Sequence, residues 1–238
     1  MKIRILIPAR LESKRFPKKL LQKISDKTLI EHICLRAKKI HCDSLAVLTD
    51  SKIIQKIVKS CGVDCYYSKK NYSNGTERIA NFCKLKKYNP LDLIVNIQAD
   101  ELNFPLSAID KIKKYFRNNK KTYVATLIYP STNYSNIIDK NLVKVVKNKN
   151  DDAIYFSRSL IPHDSKNFYA HLGIYAYRVN VLSKYRKLKR GEIETEESLE
   201  QNRFLFNTVP IKCISIKSND SISINTKNDL KLAKKKFK

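Results

Sequence analysis

The sequence predicts an α/β protein: a mostly parallel sheet with helices on both faces, carrying an antiparallel insertion. Three observations lead there. Over the first 70 residues, short β-rich apolar runs alternate with amphipathic helical segments across brief connections, as right-handed crossovers require. Residues 91–97 form a nearly unbroken apolar run, suited to a central strand buried on both faces. Beyond a Ser- and Asn-rich break at 130–141, strand-like runs follow one another across polar turns, the habit of antiparallel pairs. A chain of 238 residues with 42% hydrophobic residues can build one core. We read 1–238 as a single domain and 130–178 as the insertion within it.

Each element has a local reason. Residues 3–7 read as a strand, stopped by Pro8, which cannot donate to a sheet ladder. Thr28 and Glu31 form a capping box for a helix over 29–40, where Ile30, Ile33 and Ala37 recur at helical spacing. A strand at 45–49 precedes a helix capped by Asp50 and ended by Gly62, and 63–67 is a third strand. The Asn74–Gly75 pair has polar flanks, so a loop entering a helix over 77–87 is expected rather than a hairpin. Ala108, Ile109, Ile112, Tyr115 and Phe116 mark another helix, and 123–128 another strand. Strands at 143–147 and 153–156 follow, then an alternating run at 171–178, a helix over 194–206, a strand at 209–216 and a Lys-rich helix after Thr226. The insertion carries either the second substrate or an oligomer contact.

The chemistry begins where the first strand ends. Arg10, Lys14, Arg15, Lys18 and Lys19 fall within ten residues, on a segment leaving the carboxyl end of that strand, where open α/β sheets place ligands. Pro8 and Pro17 stiffen the segment, and arginine can grip phosphate oxygens with two parallel bonds. An anionic guest follows. The glycine patterns of P-loop and dinucleotide sites are absent. After the central strand come Gln98-Ala99-Asp100-Glu101, a carboxylate pair that either holds Mg²⁺ beside phosphate oxygens or caps the next helix. Alternation over 171–177 places His171, Gly173, Tyr175 and Tyr177 on one face, for a polyhydroxylated ligand or for core packing.

The formal charge of +26 raises nucleic acid as a partner, but the lysines spread over almost every helix and no RNA-binding or zinc-finger pattern occurs. Nucleic-acid binding therefore ranks second. The six cysteines make no C-x-x-C pair and read as apolar fillers in a reducing compartment. Without a signal-like segment or an apolar run near the ~20 residues of a membrane span, a soluble cytoplasmic protein is expected, with no membrane insertion.

Taken in order, Ile7-Pro8-Ala9-Arg10, Ser13-Lys14-Arg15-Phe16-Pro17, Gly75-Thr76-Glu77-Arg78, Val95-Asn96-Ile97-Gln98-Ala99-Asp100-Glu101, Tyr155-Phe156-Ser157-Arg158, His171-Leu172-Gly173-Ile174-Tyr175 and Leu199-Glu200-Gln201 resemble the CMP-Kdo synthetases, the 3-deoxy-manno-octulosonate cytidylyltransferases. The likeness spans nearly the whole chain. It implies a Rossmann-like nucleotidyltransferase fold, usually a homodimer, that uses CTP, Kdo and Mg²⁺ to make CMP-Kdo for lipopolysaccharide. It also implies that Pro8, Ala9, Arg10, Arg15 and Lys19 hold the triphosphate side of CTP, with Gly75 and Arg78 bordering the nucleotide. Gln98 would lie between nucleotide and sugar. Arg158, His171, Tyr175, Glu200 and Gln201 would line the sugar pocket, and Asp100, with Arg10 and Lys19, would carry catalysis.

The chain departs from the family at several points. Asn225 stands where the family has a second metal-binding aspartate, keeping an oxygen ligand while dropping a charge, so a weaker Mg²⁺ site is expected. Asp229 is expected to cap a helix with Thr226 rather than replace that aspartate. Ala99 and Lys18 replace glycines, which matters only if those positions need positive φ. The alternatives are a cytidylyltransferase for another 2-keto sugar acid, such as 8-amino-Kdo or a nonulosonate, and a metal-impaired nucleotide-binding relative.

Overall fold

The computed structural model describes residues 1–13, 15–132 and 138–237; Lys14 and 133–137, within the expected cationic loop and composition break, lie outside it. In chain order the elements are β1 Ile3–Ala9, a 3-10 turn Lys19–Leu21, the short strands β2 Lys23–Ile24 and β3 Lys27–Thr28, α1 Leu29–Ala37, β4 Ser44–Thr49, α2 Lys52–Ser60, β5 Asp64–Tyr67, α3 Gly75–Leu85 and β6 Leu93–Ile97. They continue with β7 Glu101–Leu102, α4 Leu106–Asn118, β8 Val124–Ser131, β9 Lys144–Lys147, β10 Ala153–Ser157 and β11 Phe168–Arg178. After these come α5 Val179–Tyr185, α6 Glu192–Glu197, α7 Asn202–Phe206, β12 Ile211–Ser215, β13 Ile222–Ser223 and α8 Lys227–Lys236.

The main sheet runs β10-β9-β11-β6-β1-β4-β5, with β8 pairing β11 and β12. Strands β6, β1, β4 and β5 are mutually parallel, and β11 joins β6 antiparallel. Alternation along β1 and β6 sends Ile5, Ile7, Val95 and Ile97 to one side, against α1, α2 and α4, and Leu6 and Ile94 to the other, against Ile79 of α3 and Leu182 of α5. Each such side chain, fully buried, is worth about 1.5–3 kcal/mol, against about 1 kcal/mol or less for a surface ion pair. The two apolar layers, not the surface charges, hold the fold. All six cysteines are free thiols, and burial pushes Cys65 up to about 11 and Cys83 up to about 12. They are fillers, as expected.

Several expected boundaries move. The cap of α2 is Ser51, whose hydroxyl accepts from the Ile54 amide; Asp50 is engaged elsewhere. Asn74 caps α3 by accepting from the Glu77 amide, so that helix starts at Gly75. Strand β6 begins at Leu93, because the Asp92 carboxylate turns back to the Lys2 amide and the Arg4 guanidinium and leaves Leu91 exposed. The helix expected over 194–206 is two, broken where Ser198 takes a left-handed φ of 52°. The capping boxes of α1 and α8 form as anticipated. No helix among the described residues is long and apolar enough to cross a membrane.

Candidate active site

Strands β1 and β6 lie side by side in parallel, so their carboxyl ends open together onto one cleft of about 710 Å³. The loop after β1 forms one wall, the start of α3 another, and the Gln98–Asp100 segment the floor. Gly75 is where α3 meets β1: a Cβ there would stand 3.1 Å from the Pro8 ring, so a larger residue would need that ring to give by a few tenths of an ångström. Among the described residues, Arg10, Arg15, Lys19, Arg78, Lys140 and Arg158 line the cleft against two carboxylates, Glu12 and Asp100. The excess of positive charge suits a polyanion.

Each cation is held differently. Lys19 ion-pairs with Asp100. Arg15 donates to the side-chain oxygens of Asn141 and Asn225, the second at 2.8 Å, so three separate segments meet over the cleft. Arg10 makes no hydrogen bond or ion pair among the described residues and lies exposed on the cleft wall. Arg78 is 6% exposed and donates from Nη2 to Asp50 Oδ2 at 2.7 Å. Although the Glu197 carboxylate lies near it, the Arg158 guanidinium makes no ion pair among the described residues. Its Nε, Nη1 and Nη2 donate to the carbonyls of Glu197, Lys140 and Ser198 at 2.9, 3.0 and 3.5 Å. A carbonyl cage fixes a guanidinium without pairing it to an acid, so Arg158 can still answer a ligand's charge.

That cage is built by neighbours. The Glu197 carboxylate accepts from Ser157 Oγ at 2.6 Å and the Arg158 amide at 2.8 Å, locking the end of β10 to α6. Buried Lys144 donates to the carbonyls of Asp139 and Arg158 at 2.6 and 3.2 Å, and burial lowers its pKa.

The short antiparallel pair β7–β13 carries the floor. The Ile224 amide donates to the Asp100 carbonyl at 2.9 Å, which sets Asn225 beside the Asp100 segment, and both residues line the cleft. Glu101 points the other way: it is 3% exposed, accepts from Ser221 and Ser223, and is pushed up to about 7 by burial. Asp229 accepts from the Asn225 and Thr226 amides, spending its carboxylate on the α8 cap. Among the described residues no cluster of three or more His, Cys, Asp or Glu is placed to hold a metal ion. Asp100 and the Asn225 side chain are nevertheless hard oxygen donors on a cleft open to more oxygens, the set Mg²⁺ accepts when phosphate supplies the rest. Ala99 does not take a positive φ and is unstrained; Lys18 does, at 52°, and points outside the cleft lining.

The remaining expected residues lie behind the cleft. The Ala9 side chain is buried in the core, and Gln201 is 4% exposed. His171, Tyr175 and Tyr177 share a face as a series of rings, with centroids 5.2 and 5.8 Å apart. Thr126 Oγ1 lies 2.9 Å from His171 Nε2, and the loss of water pulls His171 down to about 3. Glu200, raised by burial, accepts from Thr76 Oγ1 at 3.1 Å, and the buried Tyr175 hydroxyl has no partner among the described residues. Pro8, Arg10, Arg15, Lys19, Gly75, Arg78, Gln98, Asp100, Arg158 and Asn225 thus meet on one cleft, whereas Ala9, His171, Tyr175, Glu200 and Gln201 do not reach its lining. Asp50, Glu197, Asn141 and Lys144 escape a sequence reading. Asp50 has the spacing of a helix cap, Lys144 and Glu197 fall inside a strand run and a helical run that do not mark them as functional, and Asn141 closes the Ser- and Asn-rich break.

A family model described as cytidylyltransferase matches residues 4–214. A 3-deoxy-manno-octulosonate cytidylyltransferase of Fusobacterium nucleatum subsp. nucleatum is 40% identical over 97% of this chain and 94% of its own. A protein of the same name from Francisella tularensis subsp. tularensis is 34% identical over 99% and 98%. Among solved structures, a CMP:2-keto-3-deoxy-manno-octonic acid synthetase complexed with CTP superposes with a TM-score of 0.89 at 29% identity, covering 99% of this chain and 98% of that one. A UDP-glucose pyrophosphorylase, with a TM-score of 0.71 at 14% identity, covers 100% and 98% and shares the fold. With the family model covering most of the chain and these relatives matching it end to end, the chain belongs to the cytidylyltransferase family.

Proposed function

We propose that this chain transfers the cytidylyl group of CTP to the anomeric hydroxyl of 3-deoxy-manno-octulosonate, releasing pyrophosphate and giving CMP-Kdo for lipopolysaccharide. The observation that carries this reading is the cleft: among the described residues, six cations against two carboxylates, in a chain whose named relatives act on that sugar acid. A triphosphate and a sugar carboxylate together bring about the opposite charge.

The chemistry is mainly placement and charge neutralisation. Arg10, Arg15 and Lys19 receive the triphosphate from the loop side, drawing negative charge toward the leaving pyrophosphate. Arg78 and Gly75 border the nucleoside, and Gln98 lies between nucleotide and sugar. Arg158, without an ion-pair partner among the described residues, takes the sugar carboxylate. The Tyr175 hydroxyl, buried and unpartnered, and Glu200 just behind it offer polar groups to the sugar hydroxyls once the cleft admits them. Asp100 and Asn225 would hold Mg²⁺, which when bound polarises the phosphate and helps ionise the attacking hydroxyl. We place the enzyme in the cytoplasm as a homodimer. Ile154 on the edge strand β10 and Phe206 on α7, exposed apolar side chains on adjoining elements, support an interface there.

The test is pyrophosphate release from CTP by the purified protein with Mg²⁺ and Kdo, beside an Asn225→Asp variant and a control without sugar. Kdo-dependent release by the natural chain supports the reading. Release only by the variant makes the chain metal-impaired, and silence from both rejects Kdo as the acceptor.

A further inference from the structure

Asp50 stands at the carboxyl end of β4 with both carboxylate oxygens engaged across the cleft wall. Oδ1 accepts from the Leu11 amide of the phosphate-side loop at 2.9 Å, and Oδ2 accepts from Arg78 Nη2 at 2.7 Å. Arg78 is almost wholly buried, and Asp50 is its ion-pair partner among the described residues. Its guanidinium carbon also lies 5.1 Å from the centre of the Tyr72 ring, and Asn81 Nδ2 donates to the Tyr72 hydroxyl at 2.9 Å. The fork is therefore fixed at one end and across one face. Nη1 remains, buried and without a partner among the described residues, on a residue that lines the cleft.

We infer that Asp50 is a positioning residue for the nucleotide: it aims the free Nη1 donor of Arg78 at a carbonyl of the pyrimidine base and, through Leu11, fastens that setting to the phosphate-side loop. This rests on the CTP reading proposed above. A buried N–H donor is expensive to leave unmatched, and a ring carbonyl is a neutral acceptor that satisfies it without displacing the Asp50 ion pair. Without the carboxylate, the guanidinium loses the contact that sets its fork, and Nη1 loses its aim.

The test compares Asp50→Asn, Arg78→Gln and the double variant for binding of CTP and of inorganic tripolyphosphate by calorimetry, with steady-state kinetics. Asp50→Asn should weaken CTP and raise its KM about tenfold, the loss of one charged hydrogen bond, while kcat changes less than threefold. Tripolyphosphate binding should change less than threefold, and the double variant should bind CTP no worse than Arg78→Gln alone. Should Asp50→Asn not fold, Asp50→Glu keeps the charge, displaces the fork and should show the same split. Equal CTP affinity in the natural chain and the variant overturns the inference alone, as do an equal loss for tripolyphosphate or additive losses in the double variant. A natural chain that does not bind CTP overturns both the inference and the reading beneath it.

Discussion

With Nε2 beside Thr126 Oγ1 and aromatic rings of Phe156 and Tyr175 on either side, His171 stays neutral in the folded chain, its pKa pulled down to about 3. A histidine ordinarily titrates near ~6.5, so below that pH the unfolded chain binds a proton that the folded chain refuses. Its contribution to stability is complete above ~6.5 and is lost as pH falls toward the folded value. Glu101 and Glu200, raised by burial, act in the opposite sense, losing stability as pH rises. The single-residue effect is therefore read as a difference: between pH 8 and pH 5 the natural chain should lose about 2 kcal/mol relative to His171→Gln in denaturant unfolding. The ring face of His171 and Tyr175 was legible as alternation, but not the depth at which it lies. Asn225 was legible too, as an amide where the resemblance implies an acid. Asp50 was not, because a carboxylate two residues before a helix looks like a cap until the loop and α3 are folded against it.

At the scale of elements, Glu197 and Ser198 show what a broken helix does. A continuous helix over 194–206 would satisfy the backbone carbonyls internally; the left-handed turn at Ser198 leaves those of Glu197 and Ser198 to Arg158. Glu197→Ala removes the carboxylate that ties this turn to β10, so Arg158 should lose its aim. The KM for the sugar acid should rise about tenfold while the KM for CTP stays within threefold, and Glu197→Gln, which keeps an acceptor, should recover part of the loss. Apolar periodicity made the helical content plain. It could not show the break, since a serine in positive φ carries no pattern of its own.

For the whole molecule, the alternating strands and the apolar run of β6 were enough to place the cleft, because parallel neighbours necessarily open their carboxyl ends together. The order of the antiparallel strands was not readable: β8 reaches its place beside β11 and β12 through pairings distant in sequence. The charge of +26 acts at this scale as well. Spread over the surface, it attracts nucleotides before any contact forms, so the association rate for CTP by stopped flow should fall about tenfold between 0.05 and 0.5 M NaCl, with dissociation little changed.

The ion pair between Lys19 and Asp100 has its own effect on how the cleft fills. In the free protein the loop's lysine and the floor's carboxylate serve as each other's counter-ions. A triphosphate that takes Lys19 releases Asp100 in the same event, so binding is an exchange rather than an addition. On the Mg²⁺ site proposed above, the Asp100 carboxylate is freed of its lysine as the nucleotide arrives. Assembly should then be ordered, with CTP preceding the divalent ion on the protein. By linkage each should tighten the other by the same factor, visible as weak Mg²⁺ uptake by the nucleotide-free chain that strengthens in Lys19→Gln.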